Sequence, residues 1–69
     1  MRYAVVIEQV GNNFGAYVPD LPGCIATGDT VAEVEMFIRE AIEFHLEGMR
    51  EDGEVPPAPN AVTRMVEAA

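Results

Sequence analysis

The pattern of hydrophobic and polar positions at the start of the chain is typical of a β-strand. In residues 2–9 (RYAVVIEQ), the side chains of Tyr3, Val5 and Ile7 share one face. The opposite face carries the charged Glu8. We therefore expect the face with Tyr3, Val5 and Ile7 to point into the core.

Two more strands are predicted after a turn at residues 11–13 (GNN), where glycine and asparagine tolerate positive φ. Residues 14–20 (FGAYVPD) form the returning strand, which places Phe14, Ala16 and Val18 on one face. Strand pairing should stop at Pro19, because proline has no N–H to donate. Residues 21–23 (LPG) predict a second turn, and residues 24–27 (CIAT) a third, short strand.

Residues 30–50 carry the strongest pattern and predict a helix. Thr30 and Glu33 have the spacing of a capping box, in which each side chain satisfies a free backbone N–H group at the helix start. Gly53 is expected to end the helix in a left-handed conformation. One broad face of the helical wheel is apolar: Val31, Val34, Ile38, Ala41, Ile42, Leu46 and Met49, flanked by Phe37 and Phe44.

The remainder of the chain begins with a proline-rich connector over residues 54–60, which should be stiff and extended. Residues 61–67 (AVTRMVE) favour a final strand beside and parallel to the first, with a short helical turn as the alternative. The predicted order is β-β-β-α-β. This is a two-layer α+β fold of one domain, residues 1–69, in which one helix packs on a small, mostly antiparallel sheet.

Size and charge narrow the classes of function. With 69 residues the core is small, so we expect a homodimer or homotetramer. The net charge of −8 argues against direct binding of nucleic acid and suits a basic protein partner. One cysteine, no leader and no long apolar run predict a cytoplasmic protein without a membrane segment.

The two side chains most able to do chemistry, Cys24 and His45, are interpreted as packed residues. A nucleophilic cysteine needs a base and a positive field that stabilises the thiolate, and this chain is strongly acidic. One Cys and one His do not make a metal-ligand cluster. No catalytic residue, cofactor or metal is therefore expected.

Several carboxylates remain as alternatives. Asp20 and Glu8 would approach each other if the first two strands pair, and such a pair can bind a divalent metal, although a turn at Asp20 is the simpler interpretation. Asp29 suits the start of the helix. The stripe of Glu40, Glu43 and Glu47 opposite the apolar face is either a solvated surface or a docking surface for a basic partner.

Four segments together resemble the HicB-like antitoxin domain: residues 3–9 (YAVVIEQ), 14–30 (FGAYVPDLPGCIATGDT), 39–48 (REAIEFHLEG) and 52–59 (DGEVPPAP). The resemblance covers residues 2–59. Its most specific positions are Pro19, Asp20, Leu21, Pro22, Gly23, Cys24, Gly28, Asp29 and Thr30.

The resemblance implies a degenerate ribonuclease-H-like fold of three antiparallel strands, a helix and a final strand. It implies a structural role for Cys24 at the start of the third strand. The chain lacks the spaced metal-binding carboxylates of the nuclease, so it is not expected to be an enzyme. The resemblance also implies that this chain is an antitoxin, which would bind a small, basic, RNA-cleaving toxin of the HicA-like type and cover the toxin's active surface.

One departure from the family pattern concerns the end of the chain. Many such antitoxins continue into a C-terminal DNA-binding domain, and no basic recognition helix follows residue 59 here. Autoregulation by this chain is therefore not expected. The alternative function is a solitary homo-oligomeric domain that binds a different protein or a small ligand.

Overall fold

A computed structural model describes all 69 residues. Three strands come first: β1 (Val6–Val10), β2 (Asn13–Tyr17) and β3 (Ile25–Gly28). One helix, α1 (Val31–Glu51), follows them. The predicted α+β class, with three strands before one helix, is confirmed.

The sheet is antiparallel, and its strand order β1-β2-β3 follows the chain. Val10 lies opposite Asn13, so only Gly11 and Asn12 connect the first two strands. Gly11 has φ +61°, which is the positive value that the first central residue of such a two-residue turn requires. The predicted turn is confirmed, one residue shorter than its three-residue signal.

The core lies between α1 and the predicted inner face of the sheet. Ala16 and Val18 are buried from the strand side, and Val34, Ile38 and Leu46 from the helix side. Full burial of an aliphatic side chain stabilises a fold by about 1.5–3 kcal/mol. Several inner-face and helix residues pack around this centre without full burial: Tyr3, Val5, Ile7, Phe14, Ala26, Ala41, Ile42 and Met49.

Both ends of α1 are capped as the sequence predicts. The Thr30 side chain accepts the N–H of Glu33 at 3.0 Å at the helix start. At the other end, Gly53 has φ +76° and donates its N–H to the carbonyl of Arg50. Glu54 donates to the carbonyl of Met49, which completes a Schellman motif.

The predicted final strand over residues 61–67 is not formed. Residues 54–69, called the tail below, contain no regular secondary structure. Val62, Met65 and Val66 are 73%, 101% and 84% exposed, so they cover no part of the sheet. The reason is that the tail is held by side chains at one end of the sheet, as described below, and not by strand pairing. The ribonuclease-H-like relationship stays a prediction.

Candidate functional site

The loop between β2 and β3 consists of two successive turns, each with proline at its first central position. Leu21 donates its N–H to the carbonyl of Val18, and Cys24 donates to the carbonyl of Leu21, both at 3.1 Å. In the second turn Gly23 has φ +84°, which a type II turn with proline before glycine requires. Proline and glycine at these positions therefore set the path of the loop.

The double turn places two side chains in the core. Leu21 is 1% exposed and Cys24 is 3% exposed. Val18 donates its N–H to the carbonyl of Cys24 at 3.3 Å, which closes the base of the loop. Burial raises the pKa of the Cys24 thiol, because a thiolate loses its hydration there. A raised pKa is the opposite of what a nucleophilic cysteine needs.

The carboxylate of Asp20 binds the tail. Its Oδ2 atom accepts the backbone N–H groups of Asn60 and Ala61, each at 3.0 Å. These two hydrogen bonds, called the clasp below, lower the pKa of Asp20, and the bond from Ala61 has the larger effect. Glu8 lies opposite Gly15 within the sheet, so the Glu8–Asp20 pair that the sequence offered as an alternative is not formed.

A second contact fixes the tail beside the clasp. The hydroxyl of Tyr3 donates to the carbonyl of Pro57 at 2.5 Å. Neither contact was predicted from the sequence. Asp20 was expected in a turn or in a pair with Glu8, and not as a ligand of the tail. Its partners in the clasp are backbone N–H groups, which carry no signal in the sequence.

The junction between β3 and α1 is closely packed. A Cβ atom added at Gly28 would lie 3.0 Å from the backbone nitrogen of Val34, so glycine permits this approach. Glu33 accepts the N–H of Asp29 at 3.0 Å, one residue before the position expected in a capping box. Gly28, Asp29 and Thr30, the last three of the positions that carry the resemblance, therefore fix the start of the helix.

The side of α1 that points away from the sheet combines exposed carboxylates with exposed apolar side chains. This surface, called the outer face of α1 below, consists of Met36, Phe37, Glu40, Phe44 and Glu47. Phe44 is 79% exposed, Met36 is 52% exposed and Phe37 is 37% exposed. Both phenylalanines were expected at the border of the core. Their separation of seven positions, two helical turns, was the signal that they share one stripe.

The third predicted docking residue, Glu43, is also exposed and borders a second surface. It lines a groove of about 660 Å³ between α1 and the N-terminal part of the chain. Three of the four arginines line the same groove: Arg2, Arg39 and Arg50. Glu40 and Glu47 do not line this groove, and the use of the three glutamates as one docking surface stays a prediction.

Three further observations concern metal binding, His45 and membrane crossing. No group of three or more His, Cys, Asp or Glu side chains is arranged to hold a metal ion. His45 is half-buried on the core side of α1. The helix also does not combine the length and apolar character that a membrane crossing requires.

Comparison with known proteins identifies the class to which this fold and loop motif belong. The model of the HicB-like antitoxins of bacterial toxin–antitoxin systems matches residues 3–69. The match includes both turns of the β2–β3 loop, α1 and the tail. The chain belongs to the HicB-like antitoxin family.

Individual relatives come from a phage, archaea and bacteria. An uncharacterized 14.9 kDa protein of Haemophilus phage HP1 is 42% identical over 96% of this chain and 50% of its own length. A UPF0150 protein of Thermoplasma acidophilum is 36% identical over 88% of this chain and 90% of its own length. A UPF0150 protein of Helicobacter pylori is 40% identical over 75% of this chain and 72% of its own length. The chain spans about half the length of the phage relative and most of the other two.

Proposed function

We propose that this chain is an antitoxin that neutralises a small, basic, RNA-cleaving toxin of the HicA-like type. It does so by binding and covering the toxin's active surface, without catalysis of its own, in the cytoplasm where the toxin meets RNA. The family match over residues 3–69 is the observation that supports this function most strongly.

The charge of the chain fits such a partner. A surface that binds RNA is basic, because most of the affinity comes from contacts with phosphates. The chain carries a net charge of −8, and Glu40 and Glu47 place two carboxylates on the outer face of α1. These carboxylates offer the toxin the same sign of charge as its RNA substrate. Attraction between opposite charges also speeds association.

The outer face of α1 also offers the apolar contacts that keep a complex together. Interfaces are commonly centred on a few large side chains, aromatic residues above all, inside a polar rim. Phe44, with Phe37 beside it, supplies this centre, and Glu40 and Glu47 supply the acidic rim. We therefore propose that the toxin binds this face.

Titration of a purified HicA-like toxin from the same genome tests the function. RNA cleavage should fall to background when the chain reaches a stoichiometric ratio to the toxin, and co-expression should relieve growth arrest. Replacement of Glu40 and Glu47 by Gln should slow association, most strongly at low salt. The matched control replaces two exposed tail acids, Glu54 and Glu67, by Gln and should leave the association rate within about twofold.

Two results would oppose the proposal. Full RNA cleavage in the presence of excess folded chain would rule out neutralisation of that toxin. Equal loss of association rate in both pairs of variants would show that net charge alone matters, and it would remove the assignment of the outer face of α1.

A further inference from the structure

The helix covers the sheet unevenly. It packs mainly on β3 and β2 and touches β1 least. The inner-face side chains Tyr3, Val5 and Ile7 are therefore only half-buried, and together with Ile42 they line the apolar part of the groove. Because β1 is an edge strand, its outer backbone N–H and C=O groups also lack strand partners.

Charges alternate along the flank of α1 that borders this groove. Glu35, Arg39, Glu43 and Arg50 follow one another as negative, positive, negative and positive. Reversing the direction of such a row gives the opposite order of signs. The flank is therefore complementary to an antiparallel copy of itself.

We propose that the groove is the interface with a second copy of this chain. A two-fold axis near Ile42 would set Arg39 against Glu43 of the second copy, and Glu35 against Arg50 of the second copy. Each pair would occur twice, as two-fold symmetry requires. The half-buried side chains of Tyr3, Val5 and Ile7 from both copies would then lose their contact with water.

A second copy fits this groove better than an acidic or a basic protein. The groove holds three arginines and two glutamates, so a partner of one sign would leave like charges opposed. Only seven residues of the single chain are buried, which is a small core for 69 residues. Additional burial at an interface is a common remedy for a domain of this size. The interface is also separate from the outer face of α1, so dimerisation and toxin binding are independent proposals.

Charge reversal tests the pairing across the two-fold axis. Arg39→Glu alone and Glu43→Arg alone each place like charges opposite each other twice, so each variant should sediment as a monomer at a concentration where the native chain is a dimer. The double variant, Arg39→Glu with Glu43→Arg, has the native composition and net charge and should dimerise. An equimolar mixture of the two single variants should form a heterodimer, because every pair in it is again of opposite sign.

Glu47→Arg serves as the matched control, since it changes net charge as much as Glu43→Arg does but lies outside the groove. It should leave the dimer intact. Circular dichroism checks that every variant is helical, and the mixing experiment is informative even if one single variant is less stable alone. A native chain that remains a monomer at millimolar concentration would overturn the proposal. A mixture that stays monomeric while the native chain dimerises would also overturn it.

Discussion

The carboxylate of Asp20 and the backbone N–H of Ala61 are joined by a 3.0 Å hydrogen bond across 41 positions of the sequence. The N–H of Asn60 shares the same oxygen atom. The Pro-Asp-Leu-Pro-Gly loop therefore does two things: its backbone turns the chain, and its one acidic side chain fixes the tail.

The clasp should open at acidic pH. Folding lowers the pKa of Asp20 below its usual value of 3.8, so the contribution of the clasp is complete above pH 3.8 and is lost as the pH falls through the lower pKa of the folded chain. The backbone amide resonances of Asn60 and Ala61 should shift together with a midpoint below pH 3.8 in an NMR titration.

The Asp20→Asn variant is the control for this titration. An amide oxygen can still accept a hydrogen bond, but it has no proton to gain at acidic pH. The joint shift at Asn60 and Ala61 should therefore disappear. If the same shift persists in this variant, another group causes it and the clasp is not pH-dependent.

Two glycines should respond in opposite ways to the same added methyl group. Gly28→Ala brings a Cβ atom within 3.0 Å of the helix backbone at Val34 and should destabilise the fold by about 1–3 kcal/mol. Gly48→Ala meets no atom within 4 Å and should stabilise α1 by up to about 1 kcal/mol, because alanine favours the helix. Chemical denaturation measures both, and equal effects would contradict the close approach at Gly28.

The Cys24 thiol should be unreactive in the folded chain. It is 3% exposed, and burial raises its pKa, so both access and thiolate population are low. Labelling by a thiol reagent at neutral pH should be at least about tenfold slower than in denaturant. Cys24→Ser should cost about 1–3 kcal/mol, because it buries a hydroxyl in an apolar site, and should cost more than Cys24→Ala. Rapid labelling of the folded chain would show that this side chain is accessible.

Removal of the exposed ring of Phe44 should separate binding from stability. Because Phe44 is 79% exposed, Phe44→Ala should change the free energy of unfolding by no more than about 0.5 kcal/mol. Toxin affinity should fall at least tenfold, about 1.4 kcal/mol. Ile25→Ala, at an exposed position on β3, is the control and should leave the affinity unchanged. An unchanged affinity for Phe44→Ala would remove this residue from the interface.

Features encoded by neighbouring residues could be predicted from the sequence. The Gly11 turn, the Thr30 cap and the end of α1 at Gly53 each depend on a few adjacent positions, and the structure confirms all three. The inner face of β2 followed from simple alternation. The first strand, however, begins at Val6 and not at residue 2, because β2 ends at Tyr17 and provides no partner beyond it.

Features that depend on distant contacts could not be predicted. Alternation in residues 61–67 favoured a strand, but the clasp and the Tyr3–Pro57 bond hold the tail where it forms no strand pairs. The groove that Glu43 lines could not be predicted either, because it exists only where α1 packs unevenly on the sheet. The exposure of the Phe44 side chain could not be predicted, because it depends on which part of the broad apolar face of α1 the sheet covers.

The order of the sheet has a consequence for how quickly the chain folds. Each strand pairs with the strand next to it in sequence, and α1 packs mainly on β3, which immediately precedes it. Folding therefore requires little search among distant segments, and folding times on the order of milliseconds or shorter are expected. The clasp joins positions far apart and can close only after this unit has formed. Asp20→Ala should therefore accelerate unfolding and leave the folding rate nearly unchanged in a stopped-flow experiment.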